Sequence, residues 1–553
     1  MGEIPVHRAL AALFAKEGVD TAFALLGDAN MHWAIDLAED HGVRVVHARH
    51  ENSAVMMADG YARRTGKVGV ASTTTGPGYT NIMTALTAAV RRRSPLILFI
   101  GDTPLSGLYH GQWVEQRPFA EAAGARFIQL RDPARLATDV RDAFYFARHE
   151  RRPVVMSVPL DIQSKLVSAD LPYAPSDTIL PKPQRLYPDP EVIDEAAAMI
   201  RAAERPIIVA GDGVLRSGAH DVVRKFGDQI GALMSTTMRA KALFEGHPYD
   251  LRIAGGYSTD LARELFQKAD LVIGVGAGFG HFTTDAGQLF KQARVIAIDN
   301  QPHGIWEGVR TADFHIRGDA HATVEALLET LSDEAPRKGF RTNELAARIA
   351  EDAPDPRVME GQPGLLDPRA AIRELDATVP KDFDVVLGNA HFTFNALPHL
   401  TGRAPERYHV VNDFGAIGHA LPSAIGVEAG RNEGRTLLIE GDGSFLMTVQ
   451  DLETIARQGI KLLICIVNDG GYGAEIHRLR PKKFDANHVV FGRPDFASIA
   501  KALGLNGITV SEPGQFPKLF AEHEKSDRAT LWDIRVADNI PSRTFRRLYY
   551  GEN

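Results

Sequence analysis

The sequence has a single cysteine, Cys465, and no apolar run longer than about eight residues. One thiol closes no internal disulfide, which excludes the cross-linked frameworks of small secreted domains and fits a reducing compartment. A membrane-spanning helix needs roughly 20 apolar residues in a row, so none is expected. The start, Met1-Gly2-Glu3-Ile4-Pro5, lacks the basic and then apolar pattern of a secretory signal. A cytoplasmic location is the expectation. A basic excess is also lacking: 62 Lys and Arg face 70 Asp and Glu, a net charge of -8. Nothing neutralises a phosphate backbone, so nucleic acid is not an expected partner.

What is there is ordinary globular material: 44% hydrophobic and 24% charged residues rule out a disordered or fibrous chain. Fifty glycines and 31 prolines supply many tight turns. Across 553 residues, a prior of about 150 per domain gives three or four domains. Short β-branched runs alternate with helix-period segments, the pattern of parallel sheets. In the first block the runs are Thr21–Leu26, Val43–Ala48, Val68–Ser72, Leu96–Ile100 and Val154–Val158, with helices over Glu51–Thr65 and Asn81–Arg92. The second block has strands at Pro206–Ala210, Leu271–Val275 and Arg294–Ile298. The third has Val385–Leu387, Tyr408–Val411, Thr436–Ile439, Leu462–Val467 and Leu531–Val536. Proline-rich linkers separate them, one holding Pro172, Pro175, Pro181, Pro183, Pro188 and Pro190, the other Pro336, Pro354, Pro356, Pro363 and Pro368. The expected architecture is α/β: three doubly wound parallel-sheet domains over residues 1–170, 191–333 and 369–553. Ligands of such sheets bind beyond the carboxyl ends of the strands.

Two strand ends in the third block carry the sharpest signal. Leu437-Leu438-Ile439-Glu440-Gly441-Asp442-Gly443-Ser444-Phe445 is followed by Val467-Asn468-Asp469-Gly470-Gly471-Tyr472, with Asp442 and Asp469 27 residues apart. That interval is one strand–helix unit, so both carboxylates fall at the ends of neighbouring strands. Mg²⁺ takes oxygen ligands and bridges carboxylates to phosphates, and glycine lets backbone approach a diphosphate at a helix start. Here the chain resembles the thiamine diphosphate (ThDP) enzymes of the pyruvate decarboxylase, benzoylformate decarboxylase and acetolactate synthase superfamily. Their signature is Gly-Asp-Gly followed one unit later by Asn-Asn; this chain has Asn468-Asp469. The resemblance implies Mg²⁺ held by Asp442, Asp469 and the Gly471 carbonyl. It places Gly441, Gly443, Ser444 and Tyr472 around the cofactor.

The resemblance continues in Arg49-His50-Glu51-Asn52-Ser53, Ala58-Asp59-Gly60-Tyr61 and Thr74-Thr75-Gly76-Pro77-Gly78-Tyr79, which match the family's pyrimidine-binding domain. It makes the third domain the diphosphate-binding one. Glu51 then stands where the family keeps the carboxyl that promotes the imino form and the C2-ylid. Asn412-Asp413-Phe414-Gly415-Ala416-Ile417 matches the loop in which Ile417 bends the cofactor and Gly415 offers its carbonyl. The family pairs the pyrimidine domain of one subunit with the diphosphate domain of another, implying a homodimer or homotetramer.

For the reaction, Gly27-Asp28-Ala29-Asn30 resembles the decarboxylase turn that makes Asp28 an active-site acid, and Tyr472-Gly473-Ala474-Glu475 matches Glu475 to the glutamate near the leaving carboxylate. A buried pair of such carboxyls would raise one pKa. His110 stands where decarboxylases have two histidines, His281 where benzoylformate decarboxylases have one, and His391 where the cofactor loop passes. The implied activity is cleavage or formation of C–C bonds on 2-oxo acids, through an ylid and an enamine. Both outcomes, a free aldehyde or transfer to an aldehyde or ketone acceptor, stay open. So does a true acetolactate synthase with FAD, although Gly276-Ala277-Gly278-Phe279-Gly280 lacks the arginines of the family's flavin stretch. Two other classes remain: a dinucleotide oxidoreductase built on Gly274-Val275-Gly276-Ala277-Gly278, a weak motif, and a non-catalytic ThDP- or nucleotide-binding protein. The stretch Phe545–Tyr550 is expected to pack as a surface tail, with closure over the site as the alternative.

Overall fold

The computed structural model describes residues 2–107, 110–182, 184–305 and 308–552. Met1 and Pro183, used above, lie outside the described residues. Three six-stranded sheets, every neighbour pair parallel, follow one another along the chain. The first runs, edge to edge, Arg44–His47, Thr21–Ala24, Gly69–Thr73, Leu96–Asp102, Val154–Pro159 and Arg126–Gln129. Numbered along the chain within the sheet, that order is 2-1-3-4-6-5. The third sheet repeats it with Tyr408–Val410, Asp384–Leu387, Thr436–Gly441, Leu463–Asn468, Thr530–Arg535 and Asn506–Val510. The middle sheet differs: its order is 3-2-1-4-5-6, that of doubly wound dinucleotide folds. A short antiparallel pair, Glu3–Pro5 with Leu166–Ser168, ties the chain start to the end of the first domain. No helix among the described residues is long and apolar enough to cross a membrane.

The central strands read as unbroken apolar runs because helices cover both faces. Leu96–Asp102 is buried at every position, as is Leu463–Asn468. Cys465 sits in the second of these, wholly buried between the strands Thr436–Gly441 and Thr530–Arg535. Within the three parallel sheets, the strands missing from the sequence reading are Arg126–Gln129, Leu233–Thr236, Asp250–Ile253, Phe314–Arg317 and Asn506–Val510. All but Leu233–Thr236 are edge strands. The antiparallel pair Glu3–Pro5 and Leu166–Ser168 is missing from it as well.

The first and third domains share one core, running from Phe23 and Val155 to Val386 and Leu531. Its seam is a helix pair, Glu51–Thr65 against Ala420–Arg431. The first helix is buried without a break from Ser53 to Ala62, so it is packed all round. Its start is capped by the His50 ring accepting from the Asn52 amide, and Gly66 ends it in the left-handed region (φ +71°). Glycines let the backbones nearly touch: a Cβ on Gly426 would lie 1.8 Å from the Met57 carbonyl oxygen, and one on Gly60 2.1 Å from that of Ser423. Beside the seam Arg63 binds Asp59 (2.6 Å) and Asp413, and Arg239 binds Asp413 from the middle domain (2.5 Å). Burial pushes Asp413 up, but Arg63, Arg239 and Arg92 outweigh it and hold the carboxyl at about 2.

In the middle domain the turns after Pro206–Ala210 and Leu271–Val275 meet at the crevice where a doubly wound sheet binds ligands. There the Gly213 amide donates to the Gly276 carbonyl (3.0 Å), and a Cβ on Gly211 would sit 2.2 Å from that oxygen. Of the run Gly274-Val275-Gly276-Ala277-Gly278, Gly276 thus packs against the neighbouring turn and Gly274 against the Phe279 ring, 2.4 Å from a Cβ there, while Gly278 has open space.

Candidate active site

The carboxyl ends of the third sheet open into a cavity of about 760 Å³. Its floor is built by the two turns singled out from the sequence. The strand Thr436–Gly441 ends in the short helix Asp442–Phe445, and Leu463–Asn468 leads through Asp469 into the helix Gly473–Leu479. Asp442 accepts from the amides of Gly443 (2.8 Å) and Gly470 (2.7 Å), so each turn holds the other's end. Asp469 approaches from the second turn; a Cβ on Gly473 would lie 2.2 Å from its carboxylate. Burial raises the pKa of both acids, and for Asp469 the neighbouring Asp442 charge raises it further. A buried carboxylate, Asp442, and a partly buried one, Asp469, brought to one cavity floor are oxygen donors suited to a hard dication. The Gly471 carbonyl on the same turn accepts the Gly473 amide (3.1 Å) and keeps a second lone pair. No group of three or more His, Cys, Asp or Glu converges among the described residues, so any ion here relies on two carboxylates and main-chain oxygen.

Beneath this floor lies a residue the sequence reading quoted without a role. Glu440 is fully buried, and burial pushes its carboxyl up to about 7 despite the Ser444 hydroxyl. Ser444 Oγ donates to Glu440 (2.5 Å) and accepts from the Gly418 amide (2.8 Å). That chain ties the Gly-Asp-Gly turn to the loop carrying Gly415 and Ile417. Gly415 adopts φ +73°, and its carbonyl accepts from Asn389 Nδ2 (3.0 Å). Asn389, Gly415 and Ile417 all line the cavity.

The wall is aromatic. His391 is buried, its Nε2 accepting from the Ser542 amide (2.9 Å) and its ring against His477 (4.3 Å) and Phe545 (4.9 Å). Burial first, and the His477 charge second, hold it well below the usual histidine range, so it is a neutral wall residue at pH 7. Phe545, Leu548 and Tyr549 from the helix Arg543–Tyr549 close the far side; of the two readings of this stretch, closing over the site is the one observed. Phe394, Phe282 and His281 complete it, the last two from the middle domain. Tyr472, 41% exposed, packs on Phe491 (5.4 Å) at the rim. Glu475 lines the cavity and accepts from Arg478 (3.3 Å).

No described residue of the first domain lines this cavity. Asp28, Glu51 and His110 form a separate group on that domain. Glu51 opens its helix at the end of the strand Arg44–His47 and accepts from Asn81 Nδ2 (3.0 Å). A Cβ on Gly78 would lie 3.6 Å from the other Glu51 oxygen and 2.9 Å from Thr74, whose hydroxyl donates to Asp28 (3.0 Å). His110 Nδ1 accepts from the Gln112 amide (3.2 Å), and Gln112 packs against Gly76. The buried Asp28–Glu475 pair expected from the sequence is not formed within one chain. Asp28 is exposed and Glu475 half-exposed, because the two belong to different domains whose sheet ends do not meet.

Comparison with known proteins agrees with this layout. Residues 4–122 match the thiamine pyrophosphate enzyme N-terminal TPP binding domain, 193–327 the central domain and 388–534 the C-terminal TPP binding domain. The chain is 29% identical over 546 residues to the acetolactate synthase of Arthrospira platensis, covering 94% of this chain and 92% of that protein. A protein of Pseudomonas aeruginosa named "Probable 2-ketoarginine decarboxylase AruI" is 30% identical over 511 residues, covering 90% and 88%. The sulfoacetaldehyde acetyltransferase of Rhodobacter capsulatus is 29% identical over 577 residues, covering 98% and 95%. Three matched domains in the family's order, on three parallel sheets, assign the chain to the ThDP-dependent enzymes of the acetolactate synthase and decarboxylase superfamily.

Proposed function

We propose that the protein is a ThDP- and Mg²⁺-dependent enzyme that decarboxylates a 2-oxo acid with a bulky apolar side chain, releasing an aldehyde or passing the two-electron-rich fragment to a carbonyl acceptor. The observation that carries this reading is the convergence of Asp442 and Asp469 on the floor of an aromatic-walled cavity. When bound, ThDP supplies a nucleophilic carbon and an electron sink for loss of CO₂. Asp442, Asp469 and the Gly471 carbonyl are the groups that would hold Mg²⁺ and, through it, the diphosphate. Gly443 has no side chain to keep the diphosphate away; a Cβ there would meet the Tyr472 ring at 2.7 Å. The Glu440–Ser444–Gly418 chain keeps the loop bearing Ile417 in register with that floor. Glu51, oriented by Asn81, holds a proton at its free carboxyl oxygen for exchange with the pyrimidine side of the cofactor. Glu475, with Asp28, His110 and His281, would bind the substrate carboxylate and move protons at the product carbon. Phe394, Phe545, Leu548 and Tyr549 exclude water from their side of the cavity and offer an apolar surface to the substrate's side chain.

Because Glu51 and Asp28 stand on a domain that does not reach the cavity, the complete site in this reading needs a second copy of the chain, as a homodimer or a dimer of dimers. The test is CO₂ release from pyruvate, 2-oxobutanoate, branched-chain and aromatic 2-oxo acids, with and without ThDP and Mg²⁺, with products identified in the same tubes. We expect ThDP- and Mg²⁺-dependent CO₂ from the bulky acids, and a Glu51→Gln variant slowed by at least about 100-fold. ThDP-independent turnover, or full activity in that variant, would overturn the proposal.

A further inference from the structure

A second cavity, of about 570 Å³, lies between the edge strand Asp250–Ile253 of the middle sheet, the helix Asn343–Glu351 of the second linker, and Pro398 and Thr401 of the third domain. It shares no lining residue with the catalytic cavity. Its volume is that of an ordinary small-molecule site.

Two cations line it with unused hydrogen-bonding capacity. Lys241 is 7% exposed. Among the described residues its ammonium makes no hydrogen bond or ion pair, and what it faces is the Tyr408 ring, 5.0 Å to the centroid. Burial lowers its pKa to about 8, against the opposing pull of Glu245, Asp250 and Asp376. Arg252 is held in the left-handed region at φ +62°, a conformation that needs outside support in a non-glycine residue. Its amide donates to Asp250 (2.8 Å) and its carbonyl accepts from Ser235 Oγ (2.8 Å). Its Nη1, by contrast, is buried without a partner. Two acids share the lining, each with one oxygen turned to the backbone: Glu245 accepts the Gly402 amide (2.7 Å) and Asp250 that of Arg252 (2.8 Å), and neither is hydrogen-bonded to the Lys241 ammonium or the Arg252 guanidinium. Buried donors left unpaired are costly, charged ones most of all. The opposite wall is apolar, made by Ile253, Ile349 and Pro398.

We propose that this cavity binds a small organic carboxylate with an apolar body, its carboxylate taken by Lys241 and Arg252 and its body by the wall around Ile349. An ammonium and a guanidinium that make no hydrogen bond or ion pair among the described residues, beside an apolar wall, fit that chemistry better than they fit a sugar or an inorganic ion. The site lies next to the turn Met238–Ala240, from which Arg239 reaches Asp413 and Met238 reaches Asn412, the start of the cofactor loop.

The test is calorimetric titration of the ThDP- and Mg²⁺-loaded protein with benzoate to about 10 mM. One site per chain is expected, with Lys241→Gln and Arg252→Gln each weakening binding by about 10-fold or more, the usual effect of losing a charge-assisted hydrogen bond. An Ala346→Phe variant adds bulk to the cavity at a lining position other than the two cations, and is expected to abolish binding at an unchanged Tm. No binding, binding unaltered in all three variants, or binding lost in Glu475→Gln instead would overturn the proposal. The readout is binding, so it stands or falls separately from turnover.

Discussion

Asp469 carries one more negative charge than the asparagine of the family signature, and it sits partly buried beside the buried Asp442 with both pKa values raised. An Asp469→Asn variant keeps an oxygen for the metal but removes one of two neighbouring carboxylate charges. It is expected to need about 10-fold more Mg²⁺ for half-maximal activity, since ligand charge sets affinity. Without metal the same variant is expected to melt higher at neutral pH than the parent. A Mg²⁺ titration of activity and a melting curve in a chelator check the two outcomes. At this scale the motif residues were legible, because Gly-Asp-Gly at a strand end has few other uses when a second acid follows one unit later. Glu440, Asn389 and Asn81 were not. Each acts through a partner distant in sequence, Gly418 by way of Ser444, Gly415 and Glu51 respectively, and no local pattern marks such a pairing.

Among elements, the helix pair Glu51–Thr65 and Ala420–Arg431 bears the contact between the first and third domains. Gly426→Ala puts a methyl group 1.8 Å from the Met57 carbonyl, and backbone cannot rotate away as a side chain can. A loss of about 3 kcal/mol or more is expected, read as a fall in denaturant midpoint; Gly361→Ala, with nothing nearer than Ile540 at 3.8 Å, serves as the control. The same seam has a titrating group. Asp451 accepts from Ser53 Oγ (2.6 Å) and the Arg49 amide (3.1 Å), yet burial raises its carboxyl to about 6. Folded Asp451 thus keeps its proton to about pH 6, whereas the unfolded chain releases it near 4. Its contribution to stability is therefore full below about pH 4 and lost as pH rises through 6. Asp451→Asn is expected to match the parent at about pH 4 and to exceed it by roughly 2–3 kcal/mol at pH 7–8, measured by denaturant melts across that range. The helix Glu51–Thr65 was read from sequence with its observed ends, because an acidic first turn and a closing Gly66 punctuate it. Edge strands such as Phe314–Arg317 escaped because they are short and only partly buried, so their residues do not form the apolar runs that betray central strands.

For the whole molecule, the division of the candidate groups between two separate surfaces makes a sharp prediction. Glu51→Gln chains and Asp442→Asn chains, each inactive alone, are expected to recover about a quarter of parental activity when unfolded together and refolded as a dimer. Half of the dimers are then mixed, and one of the two sites in each is intact. A site completed within a single chain recovers nothing in that mixture. The similar rhythm of the first and third blocks, visible in the sequence, is in the structure an identical strand order. The different order of the middle sheet was not visible, since it depends on which strands neighbour each other and not on where they fall along the chain.

Burial of Cys465 in the centre of the third sheet, with its pKa pushed well above the ordinary thiol value, has a practical consequence. Towards maleimides and other thiol reagents the folded protein behaves as a cysteine-free background, and it takes up label only as it unfolds. One engineered cysteine, for example at the almost fully exposed Val358, can therefore carry a fluorophore without any further substitution, and the native thiol remains in place as a built-in reporter of denaturation.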